Sequence, residues 1–403
     1  AGYPAPAVMT SAGGMRTAAD AAHTAASLAL SGPAGGILGA AHVAREAGTP
    51  AAPTTDMGGT RPDAGLVLNG EPLSEPGGAI AGVPIALPRV LVETVSAGGG
   101  SIAWVDPGGA LRVGPRSAGA DPGPAAFGRG ATDATVTDAH IVLGHIDASR
   151  MSGGVTLDPS AAHRVVDALA QRLSAPAERV ARATVAAVDA AMARALRRVS
   201  VERGVDPRRC VLVAFGGGGP LHACALATLL GMTRILVPPH AGVLSALGLA
   251  MAPERRDAMR SVMRHADQLD RASVTAMCEE LAARTGEGAE RRWWAHARYV
   301  GQGHELDVPV TPEDDGATIA ARFATLHTAR AGFTLERPVE VVSLRHATFG
   351  APREARVGSG STDGAAPLRG PAVVPLPDAA MRVEAGWRAT PLPTGGYMME
   401  RST

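Results

Sequence analysis

An α/β fold, with a small α+β domain and short β strands after the main lobe, is what the sequence predicts, and three observations predict it. Residues 211–215 read as a buried strand, Gly216-Gly217-Gly218-Gly219-Pro220 as a turn and 221–227 as a helix. That is the unit with which α/β proteins bring backbone close to a ligand. Helical periodicity dominates 158–204, where Asp158 and Pro159 make a cap and first-turn pair and Val180, Thr184, Val188, Ala191, Ala195 and Val199 share one face before Gly204. The octet Asp56-Met57-Gly58-Gly59-Thr60-Arg61-Pro62-Asp63 lies between Pro50–Thr55 and the apolar run 65–68, so it reads as a tight turn between two strands.

In chain order, 5–9 is a short strand signal before a Ser11-Ala12-Gly13-Gly14 turn, and the opening looks like the middle of something longer. Ser31 is placed to cap a helix with small residues on one face through Ala44, packing either against a sheet and ligand or against another helix. Segments 84–88 and 90–95 are strand material broken by prolines, and 97–106 with 111–115 form a hairpin over Pro107-Gly108-Gly109. The run 117–130 is too rich in Gly and Pro for regular structure. A strand at 234–238 and a small-residue helix from Pro239 close the first lobe, 1–253. Beyond the charged break at 254–257, the pattern helix, strand 294–299, strand 306–310, helix 319–331, strand 339–348 predicts an α+β domain over 254–350, then a linker at 351–369 and a β segment at 370–403.

With 403 residues and zero formal net charge, the chain can hold two or three cores and has no field favouring nucleic acid or an anionic membrane; 3% aromatic residues excludes a base-stacking surface. Cys210, Cys224 and Cys278 lie far apart, against a disulfide framework and for a reduced, cytoplasmic setting. All 38 basic residues are arginine, which excludes a Walker-type lysine loop and a lysine Schiff base. No apolar run approaches the roughly 18 residues of a membrane span.

The octet carries the chemistry. Two glycines allow close backbone approach, successive N–H groups make an anion-binding concavity, Thr60 adds a donor, and an aspartate at each end can hold magnesium through water. The ordinary alternative is a Gly-Gly hairpin with two solvated aspartates. His222, beside the glycine loop, is a ligand-polarising group or a core histidine. His140 and His145 are poorly spaced for one metal, Glu93 is a base or a strand-edge carboxylate, and Tyr299, Gln302 and His304 form a polar cluster.

Nine motifs in order, SGPAGG, DMGGTRPD, VETVSAGGGSIAWVD, SAGADPGPAAFGRG, TVTDAHIVLG, RRVSVERGVDP, AFGGGGPLHA, PPHAGVLSALG and RYVGQGHELDVPV, resemble the hydantoinase A/oxoprolinase family. The resemblance implies an actin/hexokinase-like (ribonuclease H-like) nucleotide fold with ATP and Mg2+ as cofactors. It implies that Asp56, Gly58, Gly59, Thr60 and Asp63 form a second phosphate loop, with Asp56 and Asp63 catalytic and Asp56 the metal ligand. Gly216, Gly217, Gly218 and Gly219 are then the adenosine-side loop, and Thr137 and Asp138 line the cleft. The implied activity is that of an A-type subunit of an ATP-dependent hydantoinase or oxoprolinase, which phosphorylates a cyclic amide oxygen for ring opening with a B-type subunit. An acetone-carboxylase-type subunit and a non-catalytic remnant are the alternatives. Two departures bear on this. The sequence holds no preceding lobe with a first D-x-G-G-T loop, so a separate N-terminal lobe is an expected partner. Arg61 and Pro62 also replace the family's small hydroxyl residues.

Overall fold

The computed structural model describes residues 6–80, 82–85, 87–148, 156–353, 355 and 366–402. Its contacts divide into two compact units, one of residues 35–73, 91–248 and 356–403, the other of 1–34, 74–90 and 249–355.

The larger unit is a mixed sheet with helices. Helix α1 (Ser31–Glu46) precedes the antiparallel hairpin β1 (Ala51–Met57) and β2 (Pro62–Leu68), in register from Ala51↔Leu68 to Met57↔Pro62. Strand β3 (Glu93–Thr94) extends it beside β2. A separate hairpin, β4 (Ser101–Val105) and β5 (Leu111–Ser117), turns where Asp106 Oδ1 accepts from the N–H groups of Gly108 and Ala110. Helices α2 (Val136–Val142), α3 (Pro159–Arg172) and α4 (Ala177–Val199) follow. Asp158 caps α3 by accepting from Ala161 N, and Val180, Thr184, Val188, Ala195 and Val199 are buried on α4, because a 3.6-residue period stacks them on one face. Strand β6 (Leu212–Phe215) lies parallel between β1 and β7 (Arg234–Val237), with α5 (Gly219–Leu230) as crossover. This arrangement follows from the apolar runs Leu212–Phe215 of β6 and 235–237 of β7, which a central position in the sheet buries on both faces. Helix α6 (Leu244–Met251) comes next.

The chain then builds the smaller unit: β8 (Arg255–His265), α7 (Arg271–Thr285), β9 (Glu290–Tyr299), β10 (Leu306–Val310), α8 (Gly316–Ala331) and β11 (Val339–Phe349), with sheet order β8-β11-β9-β10. Its apolar core is packed from Val274, Leu281, Ala295, Val308, Ile319, Phe323 and Leu344. The segment 255–257, read from sequence as a charged break, is the start of β8. Its charges are internally paired: Asp257 bridges Arg255 and Arg345, the latter 2% exposed.

The last segment returns to the larger unit as β12 (Leu368–Arg369), hairpin β13 (Ala372–Pro375) and β14 (Ala380–Val383), β15 (Trp387–Pro391) and β16 (Tyr397–Arg401). Strand β16 pairs with β7, giving the main order β3-β2-β1-β6-β7-β16-β15-β12. The linear division at 253, 350 and 369 therefore differs from the observed one. Strand β7 would be an edge without β16, so β12, β15 and β16 complete the main sheet while hairpin β13–β14 forms a small sheet of its own. Most of the expected linker, 354 and 356–365, lies outside the described residues.

Candidate functional site

Parallel strands β1 and β6 end side by side, at Met57 and Phe215, and from these carboxyl ends come the loops 58–61 and 216–218. In open α/β sheets this is where ligands bind. The two loops touch: Gly218 N donates to Met57 O at 2.9 Å.

Asp56 and Asp63 face each other as a cross-strand pair. Like charges directly opposite on a hairpin repel. Burial first, and then the Asp63 charge, pushes the Asp56 carboxyl up to about 6, against the Ser245 hydroxyl donating to its Oδ2 at 3.2 Å. Burial also raises Asp63, opposed by the Thr94 hydroxyl donating to its Oδ1 at 2.6 Å and by the Arg61 charge. Among the described residues no cation lies within ion-pair distance of Asp56. Of the two, Asp63 feels the Arg61 charge and Asp56 has no such neighbour.

Glycine is required where backbone closes on these carboxylates. Gly216 has φ +80°, and a Cβ there would lie 2.4 Å from Asp56 Oδ1 and 2.6 Å from Met57 N. A Cβ on Gly36 would lie 2.9 Å from Ser245 Oγ and 3.2 Å from Asp56 Oδ2. Gly58 and Gly59 differ: they are exposed, with open space where a Cβ would point. Their carbonyls accept from Gly99 N at 3.3 Å and Gly100 N at 2.5 Å, while their own N–H groups make no backbone hydrogen bond among the described residues. Gly98 presses on the same turn, its Cβ position 2.5 Å from the carbonyl carbon of Thr60. Thr60 and Arg61 are exposed.

Asp138 stands apart from this group. It is 0% exposed, and its carboxylate accepts from the backbone N–H groups of Ala125, Ala126 and Thr135 and from the Thr135 hydroxyl. The expectation that it lines a nucleotide cleft is corrected on that ground: a carboxylate with its lone pairs used inside the protein caps α2 and fixes the loop around 125. Thr137 Oγ1 donates to Gly99 O at 2.9 Å, so α2 supports the loop that clamps Gly58 and Gly59. Glu93 faces Arg198 at 3.5 Å, a strand-edge ion pair.

The family model described as hydantoinase/oxoprolinase matches residues 5–258. The chain belongs to this family. It is 33% identical over 390 residues to the caprolactamase alpha subunit of Pseudomonas jessenii, covering 91% of this chain and 55% of that protein. The crystal structure of the ATP-dependent caprolactamase from the same organism superposes with a TM-score of 0.79 at 28% identity, over 98% of this chain and 65% of that one. Nucleotide-free acetone carboxylase shares the fold, with a TM-score of 0.73 at 23% identity over 98% of this chain and 64% of that one. The chain spans about half the length of the curated relatives it matches first. The α/β class expected from sequence is that of the hydantoinase family fold.

The family's enzymes of known structure named above are ATP-dependent, and the donor set here suits a metal-bound phosphate. Among the described residues no group of three or more His, Cys, Asp or Glu is arranged to hold a metal alone. Magnesium does not need one, since it keeps waters and binds through one or two carboxylates and phosphate oxygens. Sequence reasoning missed Ser245, Gly36 and Gly98 as parts of this candidate site. Each lies in a motif that carried the family likeness, and only the fold shows that all three pack on the aspartate turn. Among the described residues no helix is long and apolar enough to cross a membrane.

Proposed function

We propose that this chain is the A-type part of an ATP-dependent amide-opening enzyme, and that the loops at 56–63 and 216–219 bind the phosphates and magnesium of ATP. The observation that carries this reading is the facing, partly buried Asp56 and Asp63 pair, with no ion-pair partner for Asp56 among the described residues, at the carboxyl end of strand β1 beside that of the parallel β6. Magnesium, when bound, neutralises phosphate charge and orients the transferred group. Asp56 would hold it, with Asp63 as the second carboxylate beside it. The N–H groups of Gly58 and Gly59 and the Thr60 hydroxyl donate to phosphate oxygens, and the α5 N-terminus, capped by no side chain, adds its field.

The substrate is a cyclic amide. Its carbonyl oxygen attacks the γ-phosphorus, an O–P bond forms as the bond to the ADP oxygen breaks, and the amide carbon becomes a better electrophile. Water then adds at that carbon, the ring C–N bond breaks as nitrogen takes a proton, and a second water hydrolyses the resulting acyl phosphate to carboxylate and phosphate. A B-type subunit completes this second half, and a further lobe supplies the other side of the phosphate clamp. The relative named as a subunit alpha supports a multi-subunit assembly.

Calorimetric titration of the chain with Mg-ATP tests the reading. Saturable binding in the micromolar range, about −8 kcal/mol, abolished by Asp56→Ala without unfolding, is expected. No saturable heat at millimolar Mg-ATP, or unchanged affinity in the variant, overturns it.

A further inference from the structure

A second set of titratable side chains lies in the larger unit and takes no part in the chemistry above. Asp189 on α4, His222 on α5, and His140 and His145 at the end of α2 form an unbroken chain. Asp189 Oδ1 lies 2.6 Å from His222 Nδ1, His222 Nε2 3.1 Å from His140 Nε2, and His140 Nδ1 3.0 Å from His145 Nδ1. His222 is 1% exposed, His140 2%, Asp189 7% and His145 8%. With Asp189 ionised and the rings neutral, the hydrogens have one consistent order. Asp189 accepts from His222 Nδ1–H, so His222 Nε2 accepts from His140 Nε2–H, and His140 Nδ1 accepts from His145 Nδ1–H. His145 Nε2 is left as the open acceptor.

We propose that this chain is a proton relay, which takes up one proton at His145 Nε2 and places the charge on His222 beside Asp189, in the first turn of the helix that follows the glycine loop. The incoming proton binds the Nε2 lone pair of His145. The Nδ1 proton of His145 passes to His140 Nδ1, and the Nε2 proton of His140 passes to His222 Nε2. His145 and His140 end neutral in the opposite tautomer, and His222 is an imidazolium paired with the Asp189 carboxylate.

The surroundings set when this happens. Arg382 on β14 and Arg182 on α4 disfavour an added positive charge, although Arg382 is itself paired with Glu384 at 2.9 Å. Burial first, then these arginines, holds His145 down to about 4; burial, then the neighbouring rings and Arg382, holds His140 well below the imidazole range. Near neutral pH neither His145 nor His140 holds an added proton. Phosphate charge at the N-terminus of α5 lies about 6 Å along the helix axis from His222, and it favours the imidazolium by linkage. This second step rests on the nucleotide reading.

Two measurements decide it. Nitrogen NMR of the unliganded chain through acid pH is expected to show all three rings changing tautomer or charge at one shared midpoint, with one proton taken up in total. His145→Gln is expected to abolish that shared transition, and Asp189→Asn to move its midpoint to lower pH. Rings that titrate separately, or a shared transition that survives His145→Gln, overturn the relay. Calorimetry of Mg-ATP binding near pH 6.5, in buffers of different ionisation heat, is expected to show uptake of up to about one proton per nucleotide. That uptake should vanish in His145→Gln while affinity at pH 8 is unchanged. Binding without uptake in the native chain overturns the coupling. A failure of Mg-ATP to bind counts against the nucleotide reading, and the NMR result still decides the relay.

Discussion

Replacing Asp56 by Asn is expected to make the unliganded protein more stable, although it removes the residue placed at the centre of the site. A carboxyl shifted from 3.8 to about 6 is protonated more readily in the folded state than in the unfolded one, so folding loses free energy as pH rises from about 4 to about 6. At about 1.36 kcal/mol per unit, the cost above pH 6 is about 3 kcal/mol, or about 2 kcal/mol after allowing for residual solvation. Asparagine is the neutral isostere and escapes that cost. For a unit of this size, each kcal/mol moves the melting temperature by about 2–4 °C. Scanning calorimetry at pH 8 without nucleotide should therefore show Asp56→Asn melting about 4–8 °C above the native chain. The gap should shrink as pH falls through about 6 and close below about pH 4, where Asp56 is protonated in both the folded and the unfolded chain. Magnesium should narrow the gap at pH 8 by stabilising only the native protein. A variant less stable than the native chain at pH 8, or a gain independent of pH, would refute the electrostatic account of this pair.

The remaining predictions concern the scaffold. Asp138→Ala removes the N3 half of the α2 capping box, whose N-cap is Thr135, and leaves three backbone N–H groups without their acceptor, so urea unfolding should report a loss of about 3 kcal/mol or more, with faster proteolysis around residue 125. Gly216→Ala strains a positive φ and drives a methyl into Asp56 and Met57, so it should cost about 2–4 kcal/mol, whereas Gly58→Ala, facing open space, should change the melting temperature by less than about 2 °C. In the smaller unit, burial pushes the Asp257 carboxyl up, but Arg255 and Arg345 outweigh it and leave it below the ordinary value. Its stabilisation is thus complete above about pH 4 and is lost as pH falls through that lowered value, and Asp257→Asn should cost about 3–5 kcal/mol at pH 7 by stranding Arg345.

Much of this was legible because local patterns spoke for themselves. The apolar run of β6, the glycine turn and the α5 helix were readable together, as were α3 with its Asp158 cap and the long face of α4. The aspartate hairpin was readable because glycines between two short apolar strands admit few conformations. What could not be read was non-local. Nothing in the segment 370–403 announces that Met399 pairs with Ile235, and strand β8 hid behind charges whose partner, Arg345, lies far along the chain. Asp138 looked like a cleft residue because a capping carboxylate and a ligand carboxylate have the same sequence signature. His140, His145 and His222 looked unrelated because their spacing matches no helical face, and packing of α2, α4 and α5 brings them into line.

The pairing of β16 with β7 sets a timetable for folding. Ile235 must wait for Met399 to be synthesised, while residues 249–355 of the smaller unit are made in between. Until then β7 presents an open apolar edge, the kind of surface that recruits chaperones or other copies of the chain. Truncation within the last strand should therefore show itself first as loss of soluble yield during expression, before any effect on the site two strands away.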